Sequence, residues 1–408
     1  MLRKPSPNAI ATGRPQIGIG DCRISARAKE LVLEVLDSNR LSAGPMMDRF
    51  EREVARLHGC RFGLMCNSGT SALHIAIAAL KEKYGWRDGD EVLVPALTFV
   101  ATSNTVLYNG LQPVFVDVEP DYYCIDPAKI EGRITQRTRA IIPVHVAGLS
   151  SDMDPIMELA EGHGLRVVED CAEAMTAAYK GRPVGSLGDV GCFSTYIAHV
   201  ITTGVGGLCT TSDAELMELL KSLMNHGRDA IYIRIDDDQD AEGEALFEIA
   251  DRRFSFVRLG HSFRCTEMEA ALGVAHLEQR EPAAARRLEV VARLIDGLTP
   301  LDDRFQLPHA RPGAEHVYMF FPLVIVDPAV ERDDLVAYLE AHGIETRYLL
   351  PLINQPVYRR LFGDLDAECP VAARLNERAF YIGCHADMSD EDVELVVSAF
   401  DGYFGGHP

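Results

Sequence analysis

From about residue 60 onward, short apolar runs alternate with helical patterns. That alternation leaves few folds open, because it belongs to strands joined by crossover helices in a mostly parallel sheet. Candidate strands lie at 62–65, 91–94, 113–116, 140–144, 166–169, 191–194 and 207–210, and seven suit one doubly wound sheet. The first two-thirds of the chain therefore reads as α/β. After Leu272 a long helix with Ala- and Arg-rich turns is expected through Leu294, leading to a second domain whose strand spans 317–324. At 408 residues the chain exceeds one ordinary core. The expected division is a large domain over 15–275 and a smaller C-terminal α+β domain over 276–408. The dense acidic run at 234–244 has no apolar period and reads as an exposed loop.

A formal net charge of −21 argues against nucleic-acid or anionic-membrane partners, which need a basic surface. No run is long and apolar enough to span a bilayer, and the basic first residues lead into no apolar signal region, so a cytoplasmic protein is expected. Ten cysteines are scattered singly from Cys22 to Cys384, without a Cys-x-x-Cys pair. No metal site or disulfide framework is visible in that spacing, and reduced cysteines in apolar surroundings behave as small core residues.

Three segments carry chemistry. The stretch Asn67-Ser68-Gly69-Thr70-Ser71 follows a strand and opens a helix, which aims free N–H groups and the positive helix end at one spot. That spot suits a phosphate, with hydroxyls from Thr70 and Ser71 as extra donors, although the same residues also make an ordinary helix cap. Phe99 follows the strand ending at Val94, at the edge where ligands bind in open α/β sheets. It either stacks on a flat ring or anchors the core. The pair Glu169-Asp170 ends an apolar strand in consecutive acids, an unfavourable burial unless a cation waits there. Asp170 reads equally as a helix cap.

These segments, with the stretch from Gly185 through Ser194 and His199 to Gly207, resemble the DegT-type sugar aminotransferase family. Leu41-Ser42-Ala43-Gly44-Pro45, Asn225-His226-Gly227-Arg228, Leu259-Gly260-His261-Ser262-Phe263-Arg264 and Arg347-Tyr348-Leu349-Leu350-Pro351 extend the resemblance over nearly the whole chain. It implies the fold type I of pyridoxal-phosphate-dependent transferases, pyridoxal or pyridoxamine 5′-phosphate as cofactor, a nucleotide-linked keto-sugar as substrate, and a homodimer with shared active sites. Carried over by position, Gly69, Thr70 and Ser194 bind phosphate, Phe99 stacks on the ring, and Asp170 pairs with the pyridine nitrogen. Glu173 replaces the usual glutamine beside the ring hydroxyl. Ser262 replaces an asparagine that reaches a partner subunit's phosphate.

The family's cofactor-binding lysine falls five residues after the phosphate serine, and this chain has His199 there. In that respect it is similar to the keto-sugar 3-dehydratases, of which the colitose-pathway and ascarylose-pathway types are examples. The resemblance implies a base at His199 and a cofactor held without a covalent link. The ascarylose type builds an iron–sulfur cluster from cysteines after its Arg-Asp pair. The matching stretch, 228–234, has none, so no cluster is expected and the colitose type, which draws on glutamate, is the closer pattern. Val205 and Ile353 also depart from the family's glutamate and histidine. The expected function is dehydration at C3 of a nucleotide-linked 4-keto-6-deoxy sugar; an aminotransferase without its lysine and a non-catalytic relative are the alternatives.

Overall fold

The computed structural model describes residues 17–20, 23–231 and 238–405. Cys22, residues 234–237 of the acidic run and part of the stretch 228–234 lie outside the described residues. The first nine strands are β1 (Phe62–Cys66), β2 (Glu91–Pro95), β3 (Gln112–Val116), β4 (Thr138–Ile141), β5 (Arg166–Asp170), β6 (Ala178–Tyr179), β7 (Arg182–Pro183), β8 (Val190–Ser194) and β9 (Gly207–Thr211). Seven of them form one sheet in the order β1-β9-β8-β5-β4-β2-β3. Only β9 runs against its neighbours. All seven expected strands are present.

Strand alternation builds the two faces. Leu64, Val92, Val94, Ala140, Val168, Val190 and Cys209 pack on one side with the helices Gly69–Tyr84 and Ala214–Met224. Leu93, Ile141 and Val167 turn the other way, towards Met153 and Ile156 of the helix Met153–His163. Both faces being covered explains why these strands read as continuous apolar runs. The nine cysteines of the described residues are free; all are buried except Cys60, which is half-buried.

The remaining strands are β10 (Phe305–Gln306), β11 (Ala314–Glu315), β12 (Phe321–Ile325), β13 (Thr346–Tyr348) and β14 (Ala379–Ile382). β10-β12-β14-β13 make an antiparallel sheet, the centre of the smaller C-terminal domain, whose core includes Leu294, Leu323, Phe380, Ile382 and Phe400.

Two expectations are corrected here. The long helix is two, Glu267–Glu278 and Arg280–Leu298, separated at Gln279, whose ψ of 5° breaks the helical course. The strand expected over 317–324 begins at Phe321. Val317 and Met319 instead donate N–H bonds to the carbonyls of Gly148 and Ala147 at 3.0 and 2.9 Å, and Tyr318 has φ of 47°, which no strand residue adopts. Apolar character alone does not reveal that kink.

The helix Pro45–Leu57 has Gly44 as its N-cap and no side-chain cap of its own. The buried carboxylate of Glu267 takes that place, accepting from the N–H groups of Gly44, Met46 and Met47 at 2.9, 2.8 and 3.0 Å. A negative charge there also complements the positive helix end.

Candidate active site at the carboxyl edge of the sheet

Ser68 caps the helix Gly69–Tyr84 by accepting from the Ser71 N–H at 3.0 Å. The Ser71 hydroxyl donates to Asn67 Oδ1 at 2.7 Å, and its own oxygen receives Ser68 Oγ at 3.0 Å. That hydroxyl is committed inside the loop, which corrects the expectation that it serves a ligand. Thr70 is exposed beside it. Gly69 is buried directly against the end of β8: a Cβ there would lie 2.8 Å from Cβ of Ser194 and 3.3 Å from its Oγ. The helix N-terminus and the Ser194 hydroxyl therefore converge, as an anion site requires.

Asp170 ends β5 and is buried. Its Oδ2 accepts from Thr102 Oγ1 at 2.8 Å and its Oδ1 from the Ala172 N–H at 3.1 Å, while Thr102 is itself 2.9 Å from Thr98 Oγ1. Burial raises its pKa, and those donors only partly offset it. Its neighbour Glu169 is a different case. Oε1 accepts from the N–H groups of Leu187 and Gly188 at 2.7 and 2.8 Å, and Oε2 from Gly185 N–H at 2.8 Å and His145 Nε2 at 3.1 Å. Burial works to raise its pKa, but His145 and the N–H groups outweigh it and the net shift is downward. Glu169 is thus satisfied within the fold, which corrects the expectation that both acids await an outside cation.

His145, Glu169 and Cys171 form the one described trio with metal-ligand spacing. Both Glu169 oxygens already accept two hydrogen bonds each. His145 Nδ1 accepts from the Ser151 N–H at 3.0 Å, and burial pushes the Cys171 thiol well up. These donors are occupied by the protein itself.

Beyond Ala172 lies Glu173, buried, accepting from the Ala147 N–H at 2.7 Å. Burial foremost, with a smaller push from Asp170, raises its pKa to about 8, so it carries a proton at neutral pH. His199 is half-buried in the loop after β8, with Nδ1 3.3 Å from Met319 Sδ. Burial pushes its imidazole down to about 4 against an opposing hydrogen bond from the ring to the Ala172 backbone. The ring stands neutral, the form that accepts a proton. Phe99 precedes the helix Val100–Tyr108 and is 61% exposed, so it is no core anchor.

The profile of the DegT/DnrJ/EryC1/StrS aminotransferase family matches residues 23–401. The chain belongs to that family. It is 35% identical to GDP-perosamine synthase of Caulobacter vibrioides over 95% of this chain and 98% of the relative. It is 32% identical to dTDP-4-dehydro-2,6-dideoxy-D-glucose 3-dehydratase of Saccharopolyspora spinosa, over 88% and 80%. Among solved structures, Escherichia coli GDP-4-keto-6-deoxy-D-mannose-3-dehydratase with bound hydrated pyridoxal phosphate superimposes with a TM-score of 0.85, covering 95% of this chain and all of that one at 23% identity. The last likeness shows the fold.

As a member of the DegT family this chain is an enzyme of the sugar aminotransferase and dehydratase group, whose members carry pyridoxal or pyridoxamine phosphate. The residues present fit such a group. A helix N-terminus beside Ser194 suits the phosphate, and buried Asp170, which forms no ion pair among the described residues, suits a protonated ring nitrogen. Ser262 stands apart: it is exposed, and its hydroxyl accepts from Arg264 Nη2 at 3.0 Å. The residues that sequence reasoning missed are Thr98, Thr102, Ala147 and Met319. Only the Pro-Ala-Leu-Thr-Phe-Val-Ala-Thr run, with threonines four apart across the start of a helix, signals any of them. No helix of the described residues is long and apolar enough to cross a membrane.

Proposed function

We propose that this enzyme removes the C3 hydroxyl of a nucleotide-linked 4-keto-6-deoxy sugar, with His199 as the base. The observation that carries this reading is a neutral imidazole, not an amine, in the loop that follows Ser194; residues 195–206 contain no lysine. The 3-dehydratase relative of Saccharopolyspora spinosa supports the reaction class.

In this reading the N–H groups opening the helix at Gly69, with the Thr70 and Ser194 hydroxyls, hold the phosphate. Phe99 lies against the ring, Asp170 pairs with its nitrogen and Glu173 faces its hydroxyl. When bound, the cofactor supplies an electron sink. Asp170, as a carboxylate, keeps a proton on the ring nitrogen. His199 accepts a proton from carbon at an imidazole nitrogen and returns it to the departing C3 oxygen. Glutamate is the expected amino donor for restoring the amine form. A second copy of the chain, bringing Ser262, would cover Phe99, Tyr196, Ile197 and Val205, four apolar residues exposed around the site loops.

The test is incubation of the purified protein with pyridoxamine phosphate, glutamate and GDP-, CDP-, dTDP- and UDP-linked 4-keto-6-deoxy sugars, read by mass spectrometry. A 3-deoxy product is expected. A stable amino sugar would make the chain an aminotransferase without a lysine, and no conversion of any sugar would make it a non-catalytic relative.

A further inference from the structure

The helices Glu267–Glu278 and Arg280–Leu298 meet at the break at Gln279, and a cavity of about 650 Å³ opens beside it. That volume suits a small organic molecule. Leu57, Val200, Ile201, Leu288 and Val317 give it apolar walls drawn from four separate parts of the chain. Val200 and Ile201 directly follow His199, yet none of the residues assigned to the cofactor lines the cavity. It is a second space, sharing only the His199 loop as a wall.

Arg287 gives this cavity its chemistry. It is half-buried, and its Nη1 donates to the carbonyls of Tyr318 and Met319, both at 3.1 Å. Those two bonds fix the side chain but occupy one nitrogen of three. Nε and Nη2 have no partner among the described residues, and the side chain lines the cavity. The other charges there are matched or outside it. Arg23 faces Asp387 at 3.6 Å, Arg280 donates to Glu281 at 2.8 Å, and Glu315 is exposed. Burial lowers the imidazoles of His276 and His316, the latter to about 3, so both are neutral at neutral pH. Burial also opposes the charge on Arg287, and Cys384 and Asp387 offset it only in part. A guanidinium does not lose its proton in a protein, so the charge stays and favours an anion beside it.

We propose that the cavity at Gln279 is a binding site for a small organic anion, its apolar body against Leu57, Ile201 and Val317 and its carboxylate or sulfonate on the free nitrogens of Arg287. Nε and Nη2 together present parallel donors, the arrangement that takes an oxyanion on two oxygens. The site does not depend on the reaction assigned to His199.

The test uses the full chain loaded with pyridoxamine phosphate, so that the cofactor site is filled. Anilinonaphthalene sulfonate, an apolar body with a single anionic group, is titrated and followed by its fluorescence; phenylnaphthylamine is the same body without the charge. One equivalent of the sulfonate is expected to bind. Arg287→Met weakens it about tenfold or more, the scale of a lost hydrogen bond to a charged group, and leaves the uncharged analogue unchanged. Arg287 also anchors Tyr318, so a second variant leaves that anchor alone. Ala284→Trp, at an exposed position on the cavity wall, fills the space and loses both probes with an unchanged melting temperature. Undiminished binding to Ala284→Trp, equal losses of the two probes in Arg287→Met, or displacement of the sulfonate by further pyridoxamine phosphate overturns the proposal.

Discussion

At the amino-terminal edge of the sheet, Asp90 receives Arg139 on both oxygens, at 2.9 and 3.2 Å, and Glu91 pairs with Arg137 and accepts from Thr135 Oγ1 at 2.5 Å. Those guanidinium partners help hold the Asp90 carboxyl below its usual range although burial opposes them. At the carboxyl-terminal edge, Asp170 and Glu173 are equally buried, yet among the described residues neither forms an ion pair, and both pKa values move up. One edge is electrically complete as folded. At the other, Asp170 has hydrogen-bond donors but no counterion among the described residues and Glu173 is held neutral, and that contrast separates a scaffold from a candidate site.

Substitutions at the two edges should behave differently. His199→Asn should have the largest effect, a loss of about 10²–10⁴-fold in turnover with unchanged circular dichroism, as for a missing general base. Asp170→Asn should weaken cofactor retention, measured by equilibrium dialysis, by about 2 kcal/mol or more, because it removes one partner of a buried charge pair. Its melting temperature should hold or rise, since the folded chain alone gives that carboxylate no counterion. Gly69→Ala forces a Cβ to within 2.8 Å of Ser194 Cβ and should destabilise by about 1–3 kcal/mol in urea while loosening phosphate binding.

Glu173→Gln tests the same edge through pH. The folded pKa of about 8 lies above the model-peptide value of 4.5, so the folded chain holds an extra proton between them. That contribution is complete below 4.5 and erodes as pH rises to about 8, by up to about 1.4 kcal/mol per pH unit. Urea midpoints of the parent should therefore fall relative to Glu173→Gln over this window and then level off; parallel curves would show that Glu173 is not held neutral. The smallest effect on turnover belongs to the opposite edge. Asp90→Asn weakens a buried pair and should cost about 1–3 kcal/mol of stability, yet leave turnover unchanged. Equal damage to turnover from Asp90→Asn and Asp170→Asn would erase the distinction between the edges.

The seven strands were legible because strands covered on both faces are apolar runs bounded by polar turns, and period and length suffice to find them. Gly69, Asp170, Ser194 and His199 stand out in the sequence as an ordered series of motifs, which makes them candidates. Partnerships made across sequence were not. Glu169 looked like an orphan acid because its donors Gly185, Leu187 and Gly188 come from a later loop. Ser71 looked like a ligand donor because a cap motif does not tell which hydroxyl turns inward. The kink at Tyr318 was hidden because Val317-Tyr318-Met319-Phe320 has strand composition, and only Arg287, Cys384 and Ala147 impose its shape.

The carboxylate of Glu267 over the first turn of Pro45–Leu57 bears on the order of folding. The cap and the Gly44 N–H it accepts are 223 residues apart in sequence. Such a contact closes a large loop before returning any stability, and interactions of that separation form late. The first turn of that helix therefore gains its carboxylate cap only once the chain has been made as far as Glu267, nearly two-thirds of its length.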